Sequence, residues 1–423
     1  PGIYELSFEA QGFKKLVRTN IQVRSTETTR VDVVLEVGAV VESIEIGAQA
    51  PLLETETSAT GHLVAGVQLN KLPTPQMKIE SMLWYVPGVT GQAGSGHAAG
   101  GRSRAFVISN DGVSGMNPGT GTIGTGFQMS TVEHNMEEVK VLTTALPAEY
   151  GHSGGGIMNI TYRSGTNEFH GTAEERYMAR HMIHRNWQDA NLPTNVFGFH
   201  LMSGTISGPV RLPKVYNGRN KTFFLFGFQR HHEKASENND RDVPSPAMLA
   251  GDFTFGGIGD PIYDPLTLVR LPDGINYSRT QFPGNRIPAN RIDPVFTKFL
   301  SFEPYQGENN RNNQTFITRT GPRNNLSADT VYRSYRTGFD HKVDHSFSDQ
   351  HKIFGRYSDF RHRSFSGRWQ VNVKNPIFDF FHTPIPINQR QVVISDNLTI
   401  SPTTINEVRL GWNRRKMTRQ PES

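Results

Sequence analysis

The sequence contains no cysteine among its 423 residues. Disulfide bonds, thiolate zinc sites and cysteine nucleophiles are therefore excluded together. It also lacks an apolar run of the length that a membrane-spanning helix needs, which is about 20 residues. This second absence excludes only helical spanning, because strands that cross a membrane are short and alternate lipid-facing with inward-facing residues.

Apolar residues are scarce, at 35% of the chain, whereas glycine and proline are abundant, with 41 and 25 residues. This composition predicts β-structure with many turns, organised in two or three domains. The net charge of +5 and the pI near 9.3 would suit a nucleic-acid partner. However, the cations are scattered among 39 acidic residues without forming a stripe, so we predict no nucleic-acid binding.

The most informative stretch of the sequence is 137–171, where the chain changes character. Short apolar strands are predicted over 139–142 and 157–162, on either side of a triple glycine at 154–156. After a turn at 164–167, a hydrophobic period of two persists to the C-terminus. The sequence therefore predicts one kind of structure before this stretch and another after it.

The stretch 137–171 resembles the end of the plug domain and the first barrel strand of TonB-dependent outer-membrane receptors. The resemblance is specifically to the Oar-like subgroup, which has an N-terminal carboxypeptidase-regulatory-like domain. The residues that carry it are Glu138-Val-Lys-Val141, Ala148-Glu-Tyr-Gly151, Gly154-Gly-Gly-Ile-Met-Asn159 and Ser164-Gly-Thr-Asn-Glu-Phe-His-Gly171. Further anchors are a predicted strand that ends in Asp111-Gly-Val113 and a loop signature over 282–294.

The resemblance implies a receptor in the bacterial outer membrane that imports a large or scarce solute when the plug is displaced. Its implied partners are a TonB-type energy-transducing protein, outer-membrane lipid and an extracellular solute such as a siderophore, a glycan or a peptide. It implies no cofactor, no metal ion and no catalytic residue, so we predict that the protein is not an enzyme. An adhesion or protein-export factor on the same scaffold is the alternative function.

The predicted fold is mainly β and is divided into four segments. These are the C-terminal part of a carboxypeptidase-regulatory-like β-sandwich at 1–40, a linker at 41–54, an α+β plug domain at 55–165 and the first strands of an antiparallel transmembrane β-barrel at 166–423. The first segment is expected to hold strands over 3–8, 21–23 and 30–37. The plug is expected to hold a short helix over 79–84.

Seven strand candidates follow the plug, whereas barrels of the implied family have twenty-two. They span 168–178, 196–207, 221–231, 333–346, 351–362, 389–400 and 404–415. In the fourth, Tyr335, Thr337, Phe339, His341 and Val343 share one face, and Arg336, Gly338, Asp340, Lys342 and Asp344 share the other. This alternation predicts an apolar outer face and a polar inner face. We therefore expect a fragment of a barrel, whose signal peptide is missing because of truncation.

The connections between these strands alternate between longer and shorter, as in outer-membrane barrels with long extracellular loops and short periplasmic turns. Since the plug enters such a barrel from the periplasm, the very long connection 232–332 is expected to be extracellular. On the barrel wall, aromatic side chains are expected to face lipid or to form an interfacial girdle. These are Phe223, Phe224, Phe226, Phe228, Trp187, Trp369 and Trp412.

One candidate site precedes the plug. In the implied family a short extended segment, the TonB box, is captured by the energy-transducing protein through strand addition. The candidate is the alternating segment Val41, Glu42, Ser43, Ile44, Glu45 and Ile46. The alternative is that this segment forms the last strand of the β-sandwich or a linker strand.

A second candidate site lies in a predicted extracellular connection. His181, His184 and Trp187 could contact a solute there, although ordinary surface histidines are the simpler interpretation. Two motifs that match enzyme or cofactor sites lack the setting that they require. Ser153 matches Gly-x-Ser-x-Gly without a following helix, and 119–124 matches Gly-x-Gly-x-x-Gly outside a βαβ unit.

Overall fold

Three sheets of three or more strands organise the structure. In chain order they are the N-terminal sheet, the plug sheet and the barrel sheet. The computed structural model describes residues 2–23, 29–38, 43–47, 60–65, 83, 85–90, 97–98, 100–101, 106–115, 132–147, 153–182, 197–300, 316–323, 325–365 and 384–418.

The N-terminal sheet consists of β1 (Gly2–Phe8), β2 (Lys15–Val23) and β3 (Ser43–Gly47). The middle strand, β2, is antiparallel to β1 and parallel to β3. The prediction of a strand over 30–37 is wrong, because only an isolated bridge between Phe13 and Val37 forms there. A strand needs a partner for its main-chain groups, and the described residues place no strand beside this segment.

The plug sheet has five strands in the order β4-β9-β10-β7-β8. They are β4 (Thr60–Ala65), β7 (Phe106–Asn110), β8 (Val113–Ser114), β9 (Met136–Thr144) and β10 (Gly156–Tyr162). A separate pair is formed by β5 (Val89–Thr90) and β6 (His97–Ala98). The predicted strands at 139–142 and 157–162 are therefore confirmed as parts of β9 and β10, which are central in the sheet.

The main hydrophobic core is built on the plug sheet. Its members are Val64, Leu83, Val86, Ile108, Met136, Val139, Val141, Met158, Ile160 and Tyr162. The predicted helix 79–84 lies outside the described residues except for Leu83, whose carbonyl accepts from Val86 N at 3.2 Å. A turn then follows in which Gly88 has φ of 79°, a conformation that favours glycine.

The barrel sheet is an antiparallel meander of seven strands in sequence order. The strands are β11 (His170–Met178), β12 (Phe197–Pro209), β15 (Thr222–Arg241), β20 (Leu326–Ser346), β21 (His351–Phe365), β22 (Pro384–Ser401) and β23 (Thr404–Met417). All seven predicted barrel strands are confirmed. Small hairpins join β13 (Arg211–Leu212) to β14 (Tyr216–Asn217), β16 (Val269–Arg270) to β17 (Tyr277–Ser278), and β18 (Phe316–Thr318) to β19 (Gly321–Arg323).

The two faces of the barrel sheet differ as the alternation predicts. On β20, Asp340 and Lys342 of the inner face are 1% and 5% exposed, whereas Tyr335 and Val343 of the outer face are 40% and 48% exposed. The prediction for Phe223 is wrong, because it pairs with Asp344 on the inner face, while Phe224, Phe226 and Phe228 occupy the outer face. Adjacent residues of a strand face opposite sides, so Phe223 and Phe224 cannot share one. Trp412 lies on the outer face, and Trp187 and Trp369 lie outside the described residues.

The long connection between β15 and β20 is shorter than predicted, because both strands extend beyond their predicted ends. They pair continuously over 232–241 and 326–332. These extensions are polar, and the extension of β15 contains Glu237-Asn-Asn-Asp240. Hydrophobic periodicity therefore does not mark them, although the main-chain pairing of the two strands is regular. The connection is therefore 242–325.

The connection 242–325 contains a folded unit, which we call the loop module. It includes α1 (Pro246–Leu249), α2 (Pro294–Leu300), 3-10 turns at Phe255–Gly257, Pro265–Thr267, Pro283–Asn285 and Ala289–Arg291, and the hairpins β16–β17 and β18–β19. Buried Asn285 fixes its centre, since its side chain donates to Phe253 O and Asp260 O at 2.9 Å and accepts from Ile262 N at 2.7 Å. Neither α1 nor α2 has the length or apolar character to span a membrane, and the same is true of every other helix in the described residues.

The loop module is expected to loosen in acid. Arg291 donates bidentately to Asp264 at 2.7 and 2.8 Å, and this hydrogen bonding lowers the pKa of the Asp264 carboxyl from its usual value. A carboxyl whose pKa is lower when folded stabilises the fold above its unfolded pKa, about 3.9, and the contribution is lost as the pH falls through the folded pKa. Hydrogen exchange of 260–290, corrected for intrinsic rates, should change little from pH 7 to 5 and rise below about pH 4.

The variant Asp264→Asn is the matched control for this prediction. At pH 7 it should exchange faster than the wild type at Leu266, whose amide donates to Asp264 Oδ1, and at Thr280, whose amide donates to the Thr267 hydroxyl that itself donates to Asp264 O. It should also lose less protection on acidification, while Asp252 and Asp273 keep their own pKa-lowering hydrogen bonds. The same pH dependence in wild type and variant would contradict a role for Asp264.

Candidate functional site: the plug and barrel interface

A buried arginine connects the plug sheet to the barrel sheet. Arg356 lies on the inner face of β21, and its side chain is 0% exposed. Its Nε donates to Asp111 Oδ2 at 2.7 Å, and its terminal nitrogens donate to Ser358 Oγ at 2.6 Å and Gln391 Oε1 at 2.9 Å. The guanidinium carbon also lies 4.0 Å from the ring centroid of Tyr162. We call these five residues the Arg356 latch.

Asp111 reaches the latch because it sits in the tight turn between β7 and β8. Its φ is 44° and that of Gly112 is 77°, in the left-handed region that Asp and Gly adopt more readily than most residues. One carboxylate oxygen accepts from Tyr162 N at 3.0 Å, and the other accepts from Arg356. The carboxylate therefore joins plug strand β10 to barrel strand β21.

A second buried carboxylate, Asp340 on β20, makes a parallel connection. Its Oδ2 accepts from Val132 N at 3.0 Å and from Asn135 Nδ2 at 3.3 Å, both in the segment before β9. Its Oδ1 accepts from Ser358 Oγ at 2.5 Å, which links this contact to the latch. Together the two carboxylates fix the plug sheet to neighbouring barrel strands.

Further polar contacts extend along the same interface. Lys342 Nζ donates to Tyr162 O at 3.0 Å, and Ser164 Oγ donates to Asp344 Oδ1 at 3.0 Å. At another strand of the sheet, His134 Nε2 lies 2.6 Å from Glu174 Oε2. The inner face of the barrel sheet is therefore polar because its side chains bind the plug. This binding explains why the polar residues at alternate positions of these strands are buried.

The electrostatics of the latch depend on water. Two opposite charges about 4 Å apart attract by about 4 kcal/mol at the effective dielectric of a protein and by about 1 kcal/mol in bulk water. Removing one partner of a buried ion pair costs about 3–5 kcal/mol, because the other charge is left without compensation. The pair between Arg356 and Asp111 therefore holds firmly while it is dry and weakens once water reaches it.

The predicted TonB segment lies in the N-terminal sheet. Val41 and Glu42 are outside the described residues, and Ser43, Ile44, Glu45 and Ile46 belong to β3. This strand is at the edge of its sheet, with Ile44 opposite Leu16 of β2. The assignment as a TonB box stays a prediction, as does the alternative of a sandwich strand.

The predicted solute contacts are only partly described. His181 lies in a 3-10 turn, Arg180–Met182, directly after β11, and it is exposed. His184 and Trp187 lie outside the described residues. Nothing in the described part of the chain brings three metal-ligating side chains together.

The two enzyme-like motifs acquire no catalytic setting in the described residues. Ser153 Oγ accepts from Gly156 N at 3.0 Å in a turn that leads directly into strand β10. A nucleophilic serine of this motif requires a helix after the turn. The glycine-rich segment 119–124 lies outside the described residues.

No direct signal in the sequence marks the latch residues as a group. Asp340 is predicted to face inward by strand periodicity, and Asp111 belongs to a family anchor, but neither pattern identifies a partner. Arg356 and Asp111 are separated by 245 positions in the chain. An arginine at an inward-facing position of the predicted strand 351–362, between Gly355 and Tyr357, is the signal that could have drawn attention to β21.

Comparison with known families identifies the chain. Residues 161–423, which include the whole barrel sheet, match the family described as "Outer membrane beta barrel domain". The chain belongs to this family. The protein is therefore located in the bacterial outer membrane, and the outer face of its barrel sheet faces lipid.

A curated relative refines this assignment. The chain is 29% identical over 180 residues to the TonB-dependent transporter Oar of Myxococcus xanthus, across 41% of this chain and 17% of Oar. This match confirms the resemblance to TonB-dependent receptors of the Oar-like subgroup, and such relatives are transporters or receptors rather than enzymes. Because the chain spans 17% of the length of this relative, the activity and partners of a whole receptor are proposals here.

Solved siderophore receptors give weaker matches. A mutant of the ferric enterobactin receptor PfeA of Pseudomonas aeruginosa, in complex with enterobactin, is 12% identical with a TM-score of 0.49, over 86% of this chain and 42% of that chain. The siderophore receptor PirA of Pseudomonas aeruginosa is 11% identical with a TM-score of 0.36, over 85% of this chain and 48% of that chain. Structural matches with TM-scores of this size do not identify the solute of this chain.

The plug packs closely against the barrel sheet at Gly227. A Cβ at Gly227, on the inner face of β15, would lie 2.1 Å from Asn135 Nδ2, whereas a Cβ at Gly355, on the outer face of β21, would meet nothing within 4 Å. Gly227→Ala should therefore displace Asn135 from Asp340 and lower the free energy of unfolding by about 1–3 kcal/mol. Urea unfolding of the detergent-solubilised receptor measures this effect.

Gly355→Ala is the control, because it adds the same methyl group to the same sheet without a neighbour. Its free energy of unfolding should stay within about 0.5 kcal/mol of the wild type. Equal effects of the two substitutions would show that strand propensity, and not contact with the plug, determines the outcome at Gly227.

Proposed function

We propose that this chain is part of a TonB-dependent receptor that imports a large or scarce solute through the outer membrane and that the plug sheet closes its path. The solute is a siderophore, a glycan or a peptide, and a TonB-type protein supplies the energy that displaces the plug. The Arg356 latch carries this proposal. An apolar pair would fill the same space with equal or greater stability, so a buried ion pair suits an interface that must open.

The proposal requires the inner face of the barrel sheet to become accessible when the receptor is energised. Val393 on β22 is 0% exposed and lies on this inner face, where it pairs with Arg356 of β21. Because these 423 residues contain no cysteine, Val393→Cys introduces the first thiol into this part of the receptor with little change in volume, and the unsubstituted receptor gives the background labelling. Maleimide labelling of this thiol in living cells therefore reports displacement of the plug.

The experiment supplies ferric siderophores, oligosaccharides and peptides in turn to cells that carry the Val393→Cys receptor. One class should raise labelling several-fold in energised cells, and a protonophore or loss of the TonB-type protein should abolish the rise. Ser278→Cys in the exposed hairpin of the loop module is the control and should label under all conditions. Labelling of Val393→Cys that is independent of energy would overturn the proposed gating.

We propose further that β3 and the residues before it couple the receptor to its energy source. Support comes from the position of Ile44 on an edge strand before the plug and from its alternating Val and Ile neighbours. Proline lacks an N–H and fixes φ, so Ile44→Pro should abolish energised uptake while surface binding of the solute persists. Ile44→Ala should retain most uptake, since strand addition uses main-chain groups.

Measured together, uptake and binding separate coupling from folding. Normal transport by Ile44→Pro would mean that this segment is a sandwich or linker strand. Loss of both binding and uptake would mean that the substitution disrupts the receptor itself.

Surface adhesion is the second candidate function, and the loop module is the observation that favours it. Leu266, Val269 and Ile275 are 79%, 60% and 79% exposed on this folded unit, which is more apolar surface than a simple connection requires. Deleting the module should then reduce binding of cells to surfaces or to other cells without changing the energy-dependent labelling of Val393→Cys.

A further inference from the structure

The outer face of the barrel sheet carries many cations at one end. This end is the one where the connections 179–196, 242–325 and 366–383 join the strands. The cations, which we call the basic rim, are Arg230, Lys234, Arg333, Arg361, Arg363, Arg390, Arg414 and Lys416. Among the described residues directly beside these cations, the carboxylates on the same face are Glu175 and Asp359, and Asp240 and Asp329 occupy outer-face positions farther along β15 and β20 toward the connection 242–325.

The basic rim lies directly beside the apolar band of the outer face. One row of cross-strand neighbours in this band is Ile206, Phe226, His341, Tyr357, Val392 and Trp412. Arg390 and Arg414 are two positions along the strand from Val392 and Trp412, which is a distance of about 7 Å. A molecule that covers the band can therefore also reach the rim.

The rim contains a repulsive pairing of two arginines, beside which the structure places one shared carboxylate. Arg390 stands directly opposite Arg414 in the register of β22 and β23, where like charges destabilise a sheet. Asp359 accepts from Arg361 at 3.3 Å and lies 3.6 Å from Arg390, so one carboxylate serves two arginines.

The remaining cations at this part of the rim differ from Arg361 and Arg390, which share Asp359. Within the described part of the chain, no carboxylate forms an ion pair with Arg363, Arg414 or Lys416. Positive charge is thus in excess on β21, β22 and β23. An anion at this position would relieve the repulsion between Arg390 and Arg414.

We propose that the basic rim binds the phosphate groups of a phosphorylated glycolipid of the outer leaflet, whose acyl chains cover the apolar band. Arginine suits this role because its planar guanidinium donates bidentately to phosphate oxygens. A soluble anion could satisfy the rim but would gain nothing from the band. The inference rests on the proposed function for one point only, which is that the long connections are extracellular.

The test uses the purified receptor in detergent and measures its affinity for bisphosphorylated lipid A, for dephosphorylated lipid A and for phosphatidylglycerol. The variant Arg390→Gln/Arg414→Gln removes the opposed pair. It should bind bisphosphorylated lipid A about tenfold to thirtyfold more weakly, with a smaller dependence on salt, because each cation near an anionic lipid surface contributes about tenfold or less. Its affinity for dephosphorylated lipid A should be unchanged.

The control is Lys214→Gln/Arg219→Gln, which removes the same charge from exposed positions in the connection 210–221 at the opposite end of the sheet. It should bind bisphosphorylated lipid A as the wild type does. Equal loss in the two double variants, or equal wild-type affinity for phosphorylated and dephosphorylated lipid A, overturns the proposal. Affinity for phosphatidylglycerol that matches the affinity for lipid A overturns it as well. Solute uptake is not measured, so failure of the proposed import would not affect these results.

Discussion

A disulfide between the plug sheet and the barrel sheet should block transport reversibly. A Cβ at Gly411 of β23 would lie 3.1 Å from Val113 Cβ in β8. Disulfides join Cβ atoms about 3.5–4.5 Å apart, so Val113→Cys/Gly411→Cys needs a movement of about half an ångström to form one. We expect energised uptake to fall at least tenfold and to return when a reductant is added.

These 423 residues contain no cysteine, so no native thiol in this part of the receptor can form a competing bond. The unsubstituted receptor, treated with oxidant and reductant in the same way, controls for the rest of the protein. The single variant Val113→Cys controls for the substitution in the plug and should transport normally with or without reductant. A Cβ at Gly411 would lie 2.5 Å from both methyl groups of Val113, so Gly411→Cys alone serves only to show that its uptake does not change when a reductant is added. Surface binding of the solute should persist in the oxidised double variant. Full uptake by a receptor whose disulfide has formed, as shown by gel mobility, would mean that β8 stays beside β23 during transport.

The barrel strands could be predicted from the sequence because their signal is local. Each has one face in lipid and one face against polar groups, so side chains alternate with a period of two, as Tyr335 to Asp344 do on β20. The same rule also identifies the error at Phe223. Four nearby phenylalanines indicate an aromatic wall by composition, but the pleat turns one of them inward.

Strand pairing is harder to predict where the side chains carry no pattern. The extensions of β15 and β20 over 232–241 and 326–332 are held by a main-chain ladder, which polar residues form as readily as apolar ones. Conversely, 30–37 alternates well but forms only a bridge at Val37, because the described residues provide no partner strand. Periodicity therefore reports which face is buried, not whether a neighbour exists.

The candidate site could be predicted only in part. Asp340 and Lys342 are inward-facing by sequence, yet their partners come from the plug segment before β9 and from the end of β10. Arg356 and Asp111 meet only when the plug sheet lies against the barrel sheet. Contacts between residues so distant in sequence depend on tertiary packing, which no local pattern encodes.

Removing the charge of Arg356 should open the receptor without solute or energy. Arg356→Met keeps the volume of the side chain but leaves the carboxylate of Asp111 buried without a cation, which costs about 3–5 kcal/mol. The plug should then open spontaneously, and cells should become sensitive to antibiotics too large for porins. Arg361→Met on the same strand is the matched control, because Arg361 is 60% exposed on the outer face and should cause no leak.

A second substitution separates the charge from the packing of the latch. Asp111→Asn keeps an acceptor for Tyr162 N and tolerates the positive φ of this turn, but it carries no charge. If the penalty in Arg356→Met arises from the uncompensated carboxylate, the double variant Arg356→Met/Asp111→Asn should leak less than Arg356→Met alone. The coupling free energy between the two sites, measured by urea unfolding, should be about 1.5–3 kcal/mol in the direction of rescue. Additive destabilisation with additive leak would mean instead that Arg356 acts by filling space, and the plug would then be held by Asp340 and its contacts with Val132 and Asn135.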